Sequence, residues 1–282
     1  MSSFKKLFVI AFVLVFTNAN TQVAAVPKFP QRIISLSPSA TEDLFALGAG
    51  KQVIAVDDNS NYPTSAPKSK LSSFNPSAEA IAKFKPDFVI IQSSATKADL
   101  VISQLKALKI KVYIERTPTD INGVYKEISE IANFVGKSSA AAKLNNKIKQ
   151  ARSIAISKTR GSESATIFHE LDNTLYSATS ATFIGKIYAD LGLKNIADSA
   201  SKADDGGYPQ LQNEYVIASN PQYIFLADAQ YGETIAKVAS RPGWAGISAV
   251  KNGKVVELPA DISSRWGPRI INFYSFISNA LS

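Results

Sequence analysis

Residues 76–91 of this chain read PSAEAIAKFKPDFVII, and residues 209–226 read PQLQNEYVIASNPQYIFL. In both stretches a Glu stands seven positions before a Pro, and these glutamates are Glu79 and Glu214. Proline ends a helix, and the apolar run that follows it is typical of a buried strand. The repeat therefore predicts two lobes of similar build, each with one carboxylate. A ligand would lie between the lobes, and a partner that recognises both carboxylates could straddle them.

Strand and helix patterns also alternate outside these two stretches. Ile33–Leu36 is a short apolar run, and Ser39 with Glu42 forms a capping box, which predicts a helix that begins there and ends at Gly48. The remaining strands are predicted at 53–56, 88–91, 111–114, 166–168, 223–226 and 255–258, and the remaining helices at about 97–108, 182–191 and 267–281. Because this alternation is typical of parallel sheets, the sequence predicts an α/β fold.

A long polar segment divides the chain. Residues 138–160 contain no Pro or Gly and are rich in Ala, Lys, Gln and Ile. A helix of about 22 residues is roughly 33 Å long. We interpret residues 137–160 as a rigid connector between an N-terminal lobe (30–136) and a C-terminal lobe (161–282); a surface helix of one continuous domain is the alternative.

The first 25 residues have the pattern of a secretory signal peptide. Lys5 and Lys6 precede an apolar run of ten residues, 7–16, which is too short to span a membrane, and small residues at 23–25 suit cleavage. We expect a secreted protein that begins near Val26, in the periplasm or at the cell surface; an uncleaved anchor is the alternative. Because the sequence contains no Cys, we expect neither disulfides nor lipid attachment through an N-terminal cysteine.

Composition and motifs argue against two other classes of protein. Without the two signal lysines the chain holds 29 basic and 23 acidic residues, and no basic run interleaves with aromatics, so we expect no nucleic-acid partner. The sequence contains no P-loop, no Gly-x-Gly-x-x-Gly and no Gly-x-Ser-x-Gly motif. We therefore assign no catalytic residue and no resident cofactor, and we expect a monomer. A secreted hydrolase of small molecules is the alternative from another class.

An ordered set of short motifs covers nearly the whole chain after the signal peptide. The motifs are Arg32–Glu42, Ala46–Gly50, Tyr62-Pro63, Glu79–Ile91, Tyr208-Pro209 and Arg265–Arg269. Together they resemble the iron-chelate and cobalamin substrate-binding proteins of ABC importers, and the cobalamin binders most closely. The resemblance implies two Rossmann-like lobes joined by one long helix, with the ligand in the cleft between them. Two positions where it implies Trp carry Phe74 and Tyr208 instead.

The resemblance also implies a role for the repeated glutamates. In the family, one Glu on each lobe docks on arginines of the permease, and the matching positions here are Glu79 and Glu214. Solvated glutamates at helix starts, stabilised by the helix dipole, are the alternative.

Aromatic residues mark the candidate ligand site. Ligands of doubly wound sheets bind in loops beyond the carboxyl ends of the strands. The aromatic candidates in those predicted loops are Tyr62, Phe74, Tyr176, Tyr208 and Trp266, and His169, the only histidine, is a further candidate. Flat aromatic faces suit a large planar or macrocyclic ligand; ordinary packing is the alternative for each ring.

The charges of the same loops favour a neutral ligand. Several acidic residues accompany few cations, chiefly Lys97 and Arg265. An anionic ferric chelate would need several Arg or Lys, because a buried anion requires paired donors. We therefore expect a cobalamin-type corrinoid, with a ferric siderophore or haem as the alternative. Arg265 would bind an amide or phosphate edge of the ligand, or else pair with a neighbouring Asp.

Metal chemistry has little support in the sequence. A bare Zn or Mn site needs several His or carboxylate ligands at fixed spacing, so one His cannot supply it, and we predict no metal site. His169 could still be an axial ligand to the metal of a bound corrinoid or haem. A structural His at the end of a strand is the interpretation that we favour over it.

Overall fold

The computed structural model describes residues 29–259 and 261–281. The signal peptide predicted for residues 1–25 lies outside the described residues.

The N-terminal lobe is a parallel sheet covered on both faces by helices. Its strands are β1 (Ile33–Leu36), β2 (Val53–Asp57), β3 (Lys68–Leu71), β4 (Phe88–Gln92) and β5 (Lys111–Glu115), in the order β3-β2-β1-β4-β5. Its helices are α1 (Pro38–Ala46), α2 (Ala78–Ala82), α3 (Ala98–Ala107) and α4 (Ile121–Val135). Successive residues of a strand point to opposite faces. Ile33 thus packs in the core under α1 and α4, and Ile34 in the core under α2 and α3.

The start of α1 corrects one prediction. The helix begins at Pro38, and its N-cap is Ser37, whose side chain accepts a hydrogen bond from the backbone N–H of Ala40. Proline is favoured at the first helical position because it has no N–H to satisfy and its φ is already helical. Ser39 and Glu42 therefore do not form a capping box. Glu42 is buried and binds arginines instead.

The long helix predicted between the lobes is present as α5 (Ser138–Lys158), which is continuous over 21 residues. It packs against α4 on the N-terminal side and against the last helix of the chain, so it is held along its length. The lobe boundaries at residues 136 and 161 remain a prediction.

The C-terminal lobe contains a second parallel sheet. Its strands are β6 (Thr166–Glu170), β7 (Lys194–Asn195), β8 (Tyr223–Leu226) and β9 (Val255–Glu257), in the order β7-β6-β8-β9. Its helices are α6 (Phe183–Asp190), α7 (Asn213–Ser219), α8 (Ile235–Ser240) and α9 (Ser248–Lys251), and the chain ends with α10 (Ile270–Ala280) on α5. Two parallel sheets with helices between the strands confirm the predicted fold class.

Candidate ligand-binding cleft

A cavity of about 470 Å³ lies between the two sheets, at the carboxyl ends of their strands. The N-terminal lobe lines it with Pro38, Ser39, Asn59, Ser73, Phe74, Gln92 and Ser94, and the C-terminal lobe with Gln230, Tyr231, Asp261, Ser264, Arg265 and Trp266. All of these residues end or follow the strands β1–β4, β8 and β9, as expected for a ligand site in an α/β fold. We call this cavity the cleft.

Two exposed aromatic rings line the cleft from opposite lobes. Phe74 is 67% exposed and follows β3, whereas Tyr231 is 83% exposed and follows β8. Phe74 was predicted as a ligand residue, and its position in the cleft is consistent with that role. Sequence reasoning missed Tyr231, although it stands in a short turn before Gly232, whose φ is +92°. An aromatic residue in a glycine turn directly after a strand is the signal that could have found it.

Trp266 joins the cleft to the N-terminal lobe. Its backbone N–H donates to Ser39 Oγ at 3.2 Å, and its indole Nε1 donates to Glu115 Oε1 at 3.2 Å. It therefore presents part of its ring to the cleft while its polar edge is fixed by protein atoms.

Arg265 also reaches across to the N-terminal lobe. Its guanidinium donates to Asn61 Oδ1 at 2.7 Å and to the Asn59 carbonyl at 3.1 Å, and it forms an ion pair with Asp261 at 3.1 Å. A longer contact, 3.3 Å, joins it to Glu42. The pairing with a neighbouring Asp that was left open for this residue is therefore present. Among the lining residues of the cleft that the structure describes, Arg265 is the only cation, and it is already paired.

Arg269 completes this connection. It donates to both carboxylate oxygens of Glu42, at 2.6 and 3.0 Å, and the Glu42 side chain is only 1% exposed. Glu42 raises the pKa of Arg269 by hydrogen bonding and charge. Between the two arginines, a Cβ on Gly267 would come within 3.1 Å of the Ser39 carbonyl, so glycine permits this close approach. Residues 261–269 follow β9 in the chain and bind the N-terminal lobe, and we call them the clasp segment.

Three buried acids lie below Trp266 in the N-terminal lobe. Burial raises the pKa of Asp43 and of Glu115, and burial together with the charges of Glu115 and Asp43 raises the pKa of Glu127 to about 11. Each acid has one oxygen without a hydrogen-bond partner. A protonated Glu127 adds no charge beneath the clasp segment at neutral pH.

Two of the predicted ligand residues lie in paired segments of the C-terminal lobe. Tyr176 forms an isolated antiparallel β-bridge with Gln210, and the Ser177 N–H donates to the Pro209 carbonyl at 3.0 Å, so the backbone segments that carry Tyr176 and Tyr208 are neighbours. Their side chains are 41% and 43% exposed. Neither tyrosine lines the cleft, so a ligand would have to extend beyond the cavity to reach them.

Tyr62 occupies a different cavity. Its ring lies 4.1 Å below the guanidinium of Arg269, and it lines a pocket of about 470 Å³ between α1, α5 and the start of α10. The structure thus separates Tyr62 from Phe74, although sequence reasoning placed both at one site.

His169 is a correction to the predicted site. Strand β6 extends through Glu170, so His169 lies within the strand and not in the loop after it. Its ring is completely buried, Nδ1 lies 2.9 Å from the Tyr188 hydroxyl, and burial lowers the pKa of the imidazole to about 4. A buried neutral His cannot contact a ligand in the cleft, which agrees with the structural role that we favoured.

A buried ion pair in the C-terminal lobe was not found by sequence reasoning. Glu170, at the end of β6, accepts hydrogen bonds from both terminal nitrogens of Arg241, at 2.5 and 2.6 Å, and Arg241 also pairs with Glu233 at 3.0 Å. The Arg241 guanidinium covers the Trp244 ring at 4.5 Å. The Arg241 guanidinium is therefore paired within the C-terminal lobe.

The repeated glutamates are exposed on helices of the two different sheets. Glu79 and Glu214 lie in the first turns of α2 and α7. Helices between parallel strands run opposite to the strands, so these first turns lie at the edge where the strands end and the cleft opens. Glu79 is 82% exposed and pairs with Lys83 at 2.9 Å, and this hydrogen bond lowers the pKa of Glu79.

The described part of the chain carries neither a membrane-spanning helix nor a cluster of metal ligands. In residues 29–259 and 261–281, no helix combines the length and apolar character needed to cross a membrane. In the same residues, no three His, Cys, Asp or Glu side chains are grouped so that they could hold a metal ion.

Comparison with known proteins extends these observations. Residues 33–262 match the family described as periplasmic binding protein. The chain is 31% identical over 270 residues to an uncharacterized ABC transporter substrate-binding lipoprotein, YvrC, of Bacillus subtilis, with 92% of this chain and 82% of that protein covered. It is 26% identical over 273 residues to a cobalamin-binding protein of Halobacterium salinarum, with 93% and 72% covered.

A solved structure agrees with the fold. The structure of a possible iron-binding (periplasmic solute-binding) protein from Staphylococcus epidermidis superposes with a TM-score of 0.79, at 26% identity, over 90% of this chain and 99% of that protein. The motifs that resembled ABC-importer binding proteins, the two parallel sheets and these relatives agree. The chain therefore belongs to the periplasmic binding protein family, as an extracytoplasmic substrate-binding protein of an ABC importer.

Proposed function

We propose that the protein captures a cobalamin-type corrinoid in the cleft and delivers it to the permease of its importer. The observation that carries this proposal is the lining of the cleft, which combines exposed aromatic faces with neutral amides and hydroxyls. The one lining cation, Arg265, is engaged by four protein groups. A corrinoid offers a large face and many neutral amides, which match such a lining.

The same lining argues against an anionic ligand. Haem carries carboxylates, and ferric siderophores of the catecholate or carboxylate type are anions, so each would need free Arg or Lys donors to replace lost hydration. The relative from Halobacterium salinarum named for cobalamin supports the corrinoid. The Staphylococcus epidermidis protein named as possibly iron-binding keeps a ferric siderophore or haem as the second candidate.

An optical titration separates the two candidates. Purified protein is titrated with cyanocobalamin, haem and several ferric siderophores, and both ligand absorbance and Trp fluorescence are recorded. We expect cyanocobalamin to bind most tightly and to quench Trp266, which lines the cleft. A siderophore or haem that binds tenfold more tightly would exclude the corrinoid while leaving the importer class intact.

Delivery requires a surface that meets the permease, and we assign this role to Glu79 and Glu214. Both side chains are exposed and lie in first turns of helices that follow the carboxyl ends of strands, the side of each sheet on which the cleft lies. Carboxylates at this place can accept bidentate hydrogen bonds from permease arginines. We further propose a secreted, unlipidated monomer that binds without catalysis and carries no resident cofactor. Product formation from a panel of esters and glycosides would favour the hydrolase instead.

A further inference from the structure

A third concave surface lies on the N-terminal lobe. It is a groove of about 750 Å³ between α2 and α3. Its lining residues are Asn75, Pro76, Ser77, Ala78, Glu79, Ala82, Lys97, Leu100, Val101, Gln104, Ala107 and Leu108. We call it the α2–α3 groove.

The groove exposes large apolar side chains to solvent. Leu100 is 53% exposed and Leu108 is 56% exposed. With Gln104 they follow one another at intervals of four residues, so Leu100 and Gln104 lie on one face of α3 and Leu108, its C-cap residue, follows on from that face. Single exposed leucines are ordinary, but two that line one concave surface with Ala82 and Ala107 form an apolar patch, which is typical of a binding surface.

The groove shares a wall with the cleft. Phe74 lines the cleft, and the next two residues, Asn75 and Pro76, line the groove. The N–H of Thr96 donates to the Phe74 carbonyl at 2.7 Å, and Lys97 then lines the groove again. A partner in the groove would therefore contact the segment that carries Phe74, which lines the cleft.

The charge of the groove specifies the kind of partner. Glu79 and Lys97 are the charged residues that line it, and Glu79 is its one carboxylate. The pair of Glu79 with Lys83 is largely exposed, so exchanging Lys83 for another cation costs little. Interfaces commonly combine an apolar anchor with a neighbouring Arg. A segment with an apolar side chain beside an arginine would match both the leucines and Glu79.

We propose that the α2–α3 groove receives an apolar side chain of the permease, directly beside the arginine that Glu79 binds. This inference rests on the proposed docking through Glu79 and Glu214 and adds to it a second contact. The apolar anchor would fix the position of the N-terminal lobe on the permease, whereas the glutamates supply charge pairing.

Site-specific photo-crosslinking in cells that carry the importer tests this inference. Benzoylphenylalanine is placed at position 100 or 108, at 79 and 214 as reference positions, and at 154 as the control. Ile154 is 59% exposed and lies on α5, away from the groove. Crosslinked peptides are identified by mass spectrometry. We expect positions 100 and 108 to capture a transmembrane subunit of an ABC importer at a peptide next to an arginine, and position 154 to capture none.

Each other outcome overturns the inference in a different way. If positions 79 and 214 captured the permease but positions 100 and 108 did not, the groove would be excluded as a contact surface and the docking role of the glutamates would stand. If none of the four positions captured it, both the groove and the docking glutamates would be excluded. Capture of a second copy of this chain from position 100 would make the groove a self-association surface.

Uptake measurements give an independent readout. The double variant Leu100→Ser and Leu108→Ser should reduce uptake at limiting ligand on the order of tenfold, the usual effect of losing an apolar anchor. Ligand affinity in solution should stay unchanged, and so should uptake by the Ile154→Ser control. Unchanged uptake by the double variant, with normal folding by circular dichroism, would also overturn the inference.

Discussion

At the scale of single residues, Phe74 and Tyr231 have the most exposed aromatic rings in the cleft, and they belong to different lobes. We expect Phe74→Ala and Tyr231→Ala each to weaken corrinoid binding by about 1–3 kcal/mol, because a stacked ring loses its contact area with the ligand. The optical titration measures this change, with Ile154→Ala as the control. Equal affinity for all variants would place the ligand elsewhere.

Tyr208→Ala extends the same test beyond the cavity. Tyr208 and Tyr176 lie in neighbouring segments of the C-terminal lobe but outside the cleft lining. A corrinoid that overhangs the cleft would contact them, so we expect Tyr208→Ala to weaken binding by about 1 kcal/mol. Unchanged affinity would confine the ligand to the cavity between Phe74 and Tyr231.

The raised pKa of Glu127 predicts that the stability of the protein depends on pH. Its pKa rises from an ordinary value of 4.5 to about 11 in the folded protein. Between these values the folded state holds a proton that the unfolded state has lost, so the free energy of unfolding falls by about 1.4 kcal/mol per pH unit as pH rises. We expect Glu127→Gln to be stabilising by an amount that grows from pH 5 to pH 8 in urea unfolding. A difference that stays constant over this range would contradict the prediction.

At the scale of elements, the clasp segment determines how the lobes meet. Glu42 of α1 is buried and pairs with Arg269. Removing one partner of a buried ion pair lowers the free energy of unfolding by about 3–5 kcal/mol, because the other charge remains buried without its partner. We expect Glu42→Ala to lower Tm by roughly 10 °C in calorimetry. The control is Glu79→Ala, which removes an exposed pair and should change Tm by about 2 °C or less.

The elements that sequence alone predicted best are those whose burial is uniform. The strands at Ile33–Leu36, Phe88–Gln92 and Tyr223–Leu226 are almost entirely apolar, because both faces of a parallel sheet are covered. Strand β3, with the sequence KSKL, was missed because it is an edge strand with exposed lysines and so carries no apolar signal. Helix α4 was also missed, although Asp120 caps its start and Gly136 ends it.

The candidate site was predicted less completely, for a physical reason. Loop positions after strands can be found from the sequence, which is why Trp266 was named for the cleft. Phe74 was named as well, although the edge strand before it was missed. Side-chain pairing between distant residues leaves no local pattern: Glu42 and Arg269 are 227 positions apart, and Glu42 has the spacing of a capping box. The length of β6 decided the position of His169, since two additional residues in this strand move His169 from a loop into the core.

At the scale of the whole molecule, α5 and the clasp segment both connect the lobes. A continuous helix of 21 residues resists bending more than extended linkers do, and the pairs of Glu42 join the lobes a second time. We therefore expect the radius of gyration from solution scattering to change by about 0.5 Å or less when ligand binds. A contraction of several ångströms would show that one of these connections opens. Glu42→Ala, measured in parallel, separates the contribution of the clasp segment.

Replacing the two repeated glutamates tests the transport function of the whole molecule. Both lie in first turns at the edge where the cleft opens, one on each lobe. Removing the carboxylate from a carboxylate–arginine pair at an interface weakens binding by about 2–5 kcal/mol. Exposed ion pairs in the free protein, in contrast, contribute little to its stability. Replacing both by Ala should therefore reduce uptake strongly, and each single change less, because the other lobe still docks. Ligand affinity and Tm should stay nearly unchanged, as both side chains are exposed. Lost ligand binding would assign these residues to the ligand site, and normal uptake through the cognate permease would make them ordinary surface glutamates.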